Sequence, residues 1–209
     1  MAYDDRICGS VNMTVTDKIA PHNKYKLGCP FDLDNEPAYH AWLENKMDDY
    51  PQDIEDIIVE VNDPRKLSTA EFKVIRDLVK KTNMAIYAGK TGDDPDKEIP
   101  TMLARQFDLE SPDLNMGADD GVTALRVVDG DWRGDYIPYT NHSIHWHTDG
   151  YYNPLDRKIN SLILHCVSPA ASGGENALLD HEIAYIRLRQ ENPGYIDALM
   201  QPDVMMIPA

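Results

Sequence analysis

Between residues 68 and 88 apolar positions follow first a helical and then a strand-like spacing. Phe72, Ile75, Leu78 and Val79 share one helical face. Ser68-Thr69-Ala70-Glu71 before them reads as a capping box, with Ser68 as N-cap and Glu71 reaching back. Lys80 and Lys81 complement the helix C-terminus, and Asn83 can end it. On one side lies Asp56-Ile57-Ile58-Val59-Glu60-Val61, a β-branched run closed by Asn62-Asp63-Pro64. On the other lies Met84-Ala85-Ile86-Tyr87-Ala88, read as a buried strand. The pattern therefore predicts strand–helix–strand.

Pro37 to Asp49 predicts a short helix with Trp42 and Met47 inward, and Ile99 to Phe107 another with Pro100 in its first turn. Lys90 to Asp96 and Ser111 to Gly121 are polar, turn-rich connections. Val122 to Val128 alternates and predicts a strand, as does Ile159 to Val167. A helical pattern runs through Ile183, Ile186 and Arg187. Residues 1–35 have little periodicity and read as an irregular lead-in to a single domain over 1–209. Four strand candidates with long polar connections predict an α+β fold rather than a βα array.

Composition narrows the function. With 36 acidic against 20 basic residues the formal charge is −16, a field that repels phosphate backbones and anionic membranes. Nucleic acid and membrane partners are not expected, and a small-molecule substrate is. An anionic substrate would need a few well-placed cations; Arg126 and Arg133 are candidates, with surface roles as the alternative. The leading residues lack the basic-then-apolar layout of a secretory signal. Cys8, Cys29 and Cys166 are three, widely spaced and without a CxxC pair, which argues against a disulfide framework or thiolate zinc site and for the cytoplasm.

Four of the seven histidines lie between His142 and His165, most densely in His145-Trp146-His147-Thr148-Asp149. Positions two apart on an extended chain face the same way, so His147 and Asp149 can converge on one ion. An imidazole and a carboxylate are two of the three ligands of a 2-His-1-carboxylate iron(II) site. On a straight strand the Cα of His145 lies about 13 Å from that of Asp149, so His145 is expected beside the metal or facing substrate. His165, on an apolar strand, reads as a packed, hydrogen-bonded histidine, and His181 as a capping or surface residue.

Trp146-His147-Thr148-Asp149-Gly150-Tyr151-Tyr152 with Pro154 resembles the W-H-T-D segment of the taurine catabolism dioxygenase-like (TauD/TfdA-like) family. The resemblance continues through Ser161 to Val167, Ala170 to Asn176, Asp180, Ala184 and Tyr185. It implies an iron(II)- and 2-oxoglutarate-dependent dioxygenase on a double-stranded β-helix (jelly roll) with flanking helices. Such an enzyme couples oxidative decarboxylation of 2-oxoglutarate to hydroxylation of a substrate C–H bond. The family's ligands carry over to His147 and Asp149. The family residue that holds the 2-oxoglutarate carboxylate, usually Thr or Ser after the glycine pair Gly173-Gly174, falls on Asn176, whose amide can still donate.

The resemblance also implies a second histidine ligand and a 2-oxoglutarate-binding arginine well downstream. No His follows His181 and no Arg follows Arg189. The expectation is an N-terminal portion of a longer enzyme: a jelly roll incomplete at the C-terminus, inactive alone, and prone to aggregate or form a homo-oligomer. Two alternatives stand beside it. One is a non-catalytic jelly-roll fragment or binding module. The other is a metal-dependent hydrolase or isomerase using His145, His147 and Asp149 around a bend.

Overall fold

A computed structural model describes residues 28–114, 120–128, 130, 132–202 and 204. Most of the lead-in over 1–35, and part of the connection over 111–121, lie outside the described residues. The elements run α1 (Glu36–Met47), β1 (Ile58–Val61), α2 (Thr69–Thr82), β2 (Ile86–Gly89), α3 (Glu98–Gln106), α4 (His181–Glu191) and α5 (Pro193–Leu199). β1 and β2 pair in parallel, Ile58 opposite Ile86 through Val61 opposite Gly89.

The strand–helix–strand unit forms as its pattern predicts. The Ser68 side chain accepts from the Glu71 N–H at 3.2 Å, and Glu71 accepts from the Ser68 N–H at 2.6 Å. Asn83 closes α2 in the left-handed region, at φ 59°. Val59 and Val61 alternate inward from β1 against Ile75 of α2, with Leu67, Leu78, Val79, Ala85, Tyr87 and Phe107 packed around them. The first strand is shorter than expected: Ile54–Ile57 forms a 3₁₀ turn, because Asp53 and Asp56 cap it reciprocally.

α4 returns to cover α1. Phe31, Tyr39, Trp42 and Tyr185 form an edge-on aromatic cluster. The buried Arg189 guanidinium lies 3.9 Å from the Tyr39 ring centre and bonds Glu36 at 2.9 Å. Met47 is exposed rather than inward. Its neighbour Lys46 takes the interior position, its ammonium 2.7 Å from Asp180 and 2.5 Å from Glu182. Asp180 also accepts from Tyr50, Asn83 and the Glu182 N–H, so one carboxylate joins α1, the end of α2 and the start of α4. Burial would raise its pKa, but these hydrogen bonds hold it below the ordinary carboxylate range.

The jelly roll is not formed among the described residues; β1 and β2 are the strands that pair. Val122–Val128 and Ile159–Val167 form no ladder, against the expectation of strands. An alternating sequence shows which side chains share a face, but a strand also needs a neighbour for its N–H and C=O groups. In the first segment the Val128 N–H donates to the Tyr139 carbonyl at 3.0 Å. Cys29 is disulfide-bonded, against the expectation from cysteine spacing, and Cys166 is free and exposed.

Candidate metal centre

The histidine-rich segment starts from a firm point. Tyr139 is buried at the end of a 3₁₀ turn over Ile137–Tyr139. Thr140 Oγ1 donates to the Ile137 carbonyl and accepts from the His142 N–H. From there to Asp149 the chain is exposed, without helix or ladder.

Within this stretch the structure brings together the two residues that spacing selected. His147 Nε2 lies 3.7 Å from Asp149 Oδ1, with side chains 38% and 46% exposed. His147 Nδ1 lies 2.7 Å from the His145 backbone carbonyl. A carbonyl oxygen only accepts, so Nδ1 carries the hydrogen, and in a neutral ring the lone pair is on Nε2, beside the carboxylate. A backbone carbonyl that fixes the tautomer in this way is a common partner of metal-binding histidines. The donor set, one imidazole nitrogen and one carboxylate oxygen open to solvent, fits two positions of an iron(II) site. His145 contributes its carbonyl and not its ring. No group of three metal-ligating side chains forms among the described residues.

The turn after Asp149 depends on glycine. Gly150 has φ 64°, and a Cβ there would lie 2.9 Å from Asn153 Nδ2 and collide with Ile159 Cγ1. The turn is closed by the Asn153 N–H on the Gly150 carbonyl at 2.8 Å. Tyr151 and Tyr152 stand edge to face, centres 5.3 Å apart, and both are exposed, as is Trp146. Gly173 and Gly174 both adopt positive φ, 72° and 82°, in the turn before Asn176. Asn176 is exposed and donates one amide hydrogen to the Gly174 carbonyl at 3.1 Å, leaving a second.

The remaining candidates divide. Arg133 lies over the Tyr139 ring, 5.8 Å from its centre, and Arg126 is exposed. His181 opens α4 on the surface, capped by Asp180. His165 is hydrogen-bonded as expected, through Nδ1 to the Tyr87 hydroxyl at 2.7 Å. Burial pushes the Tyr87 phenol up to about 12. Burial also pulls His165 below its ordinary value, against the opposing charge of Asp94. This pairing spans 78 residues, and no local signal in the sequence points to it.

A profile of the taurine catabolism dioxygenase TauD, TfdA family matches residues 47–206. A uridine-5'-phosphate dioxygenase from a Streptomyces species is 34% identical over 67 residues, 32% of this chain and 24% of that protein. The chain thus matches about a quarter of that relative's length. No solved structure matches.

Proposed function

The chain belongs to the TauD/TfdA dioxygenase family, and we propose that it carries the His-x-Asp half of an iron(II)/2-oxoglutarate centre that hydroxylates a small molecule. The observation that carries this reading is the His147–Asp149 pair, 3.7 Å apart, with the histidine tautomer set by the His145 carbonyl. The family also supports the jelly-roll core as the scaffold the centre belongs to.

His147 would bind iron through Nε2 and Asp149 through a carboxylate oxygen. When bound, the metal with 2-oxoglutarate supplies the oxidising power that activates a C–H bond. The chain's own residues do the rest. The carboxylate offsets part of the metal's charge. The His145 carbonyl keeps the imidazole from rotating. The second amide hydrogen of Asn176 is the donor this chain offers a 2-oxoglutarate carboxylate. Trp146, Tyr151 and Tyr152 place apolar surface near the pair, suited to exclude water once a substrate covers them. The relative named for uridine 5'-phosphate supports the reaction class.

Cobalt(II) titration tests the ligand assignment. The parent chain should bind, and His147→Ala or Asp149→Ala should weaken binding at least tenfold. Equal binding by parent and variants overturns it. Asn176→Ala should weaken 2-oxoglutarate binding to the metal-loaded chain while leaving cobalt affinity unchanged.

A further inference from the structure

The segment after the metal turn makes two contacts at opposite ends. Ile159 fills the space against Gly150, adjacent to Asp149. His165 reaches Tyr87 of β2, with rings parallel to within 1° and centres 5.9 Å apart. Over residues 162–167, Ile163, His165 and Val167 are half-buried while Leu162, Leu164 and Cys166 are exposed. That period of two marks an extended chain, which covers about 20 Å over these six residues. Ile159 is half-buried too, although Ser161 between it and Ile163 is exposed.

We infer that Tyr87 and His165 are positioning residues for the metal turn: their hydrogen bond anchors the 159–167 segment on β2, so that Ile159 holds the Gly150 turn and the Asp149 carboxylate in place. The role assigned to Asp149 rests on the metal reading above; the anchoring does not. β2 is the suitable anchor because it belongs to the packed strand–helix–strand unit, whereas residues 140–150 have no ladder of their own. The bond is partly sheltered, so water competes less for its two partners. The pair is neutral, since burial disfavours both the imidazolium and the phenolate. The charged group nearby is Asp94, in the loop after β2. His165 Nε2 is buried without a partner, so the Tyr87 hydroxyl is the contact that holds the ring.

Hydrogen exchange of the metal-free 209-residue chain tests this without using activity. In His165→Leu and Tyr87→Phe, the hydrogen-bonded amides of Asn153 and Arg157, within 149–159, should exchange at least fivefold faster, with α2 unchanged. His165→Asn should restore the parent rate, because an amide places an acceptor or donor where Nδ1 was. Parent-like exchange over 149–159 in His165→Leu overturns the inference. So does failure of His165→Asn to restore it, or equal acceleration in α2 by both disruptive variants, which would make the pair a general fold contact. Cobalt affinity should follow the same order. A parent chain that binds no cobalt, yet shows the exchange pattern, removes the metal reading and leaves the anchor standing.

Discussion

The two halves of this molecule treat apolar side chains in opposite ways. In the sheet and the helices beside it, Val61, Ile75, Ile99 and Leu103 are buried. In residues 120–179, Leu125, Val127, Ile144, Leu162, Leu164, Leu178 and Leu179 are each more than half exposed, and Tyr139 is the buried side chain among the described residues. The contrast is not one of hydrophobicity. Helices α1, α2 and α4 satisfy their own backbones and need only one face covered, which caps and short connections arrange locally. Extended segments satisfy nothing alone. Without a ladder they present correctly alternating side chains to water, and the candidate metal pair sits in that half.

The largest expected effect tests the packed half. Lys46→Met leaves Asp180 and Glu182 facing each other in a site where Lys46 and Asp180 side chains are 4% and 1% exposed. Breaking a buried pair by removing one partner should destabilise by about 3–5 kcal/mol in urea unfolding followed by circular dichroism. A loss under 1 kcal/mol would mean that the network does not hold α4 to α1. Next comes a direct comparison of the halves. Ile75→Ala should cost about 2–5 kcal/mol, and Leu164→Ala less than about 0.5 kcal/mol. Similar costs would show that the 159–167 segment is packed in solution. Gly150→Ala should cost about 1–2 kcal/mol for its left-handed backbone, with steric conflict at Ile159 added, and should weaken cobalt binding at least tenfold. His147→Ala should leave the unfolding midpoint unchanged, since its ring is not part of a packed core, while abolishing tight metal binding.

The smallest effects are in pH dependence, and they separate the halves again. The folded Asp180 carboxyl stays ionised below the ordinary range, so its contribution is complete above about pH 4 and is lost as pH falls through the folded value. For the Tyr87–His165 pair the window is bounded on both sides. Below about pH 6.5 the unfolded chain takes up the imidazole proton first and stability falls. Above about pH 10 the unfolded phenol ionises first, while the folded one keeps its proton to about 12, and stability falls again. Tyr87→Phe should shrink the alkaline limb without abolishing it, because burial also raises the Tyr39 and Tyr50 phenols, and should leave the Asp180-dependent acid limb intact in pH-dependent melts.

The sequence by itself determined what depends on neighbours along the chain. The Ser68–Glu71 capping box, the Asn83 stop, the face through Ile75 and the β-branched run of β1 were all legible, because each rests on contacts within a few residues. The approach of His147 to Asp149 was legible for the same reason, being a two-residue spacing. Helix α5 was missed although it carried a signal: Asn192 caps it, with Pro193 at its first position. Tertiary structure alone decided that Lys46 and not Met47 turns inward, because a carboxylate more than 130 residues away supplies its partner. It also decided that Tyr87 finds His165, and that the alternating runs at 122–128 and 159–167 do not become strands. Local patterns specify which way a side chain faces. Whether anything is there to meet it depends on chain that returns from far off.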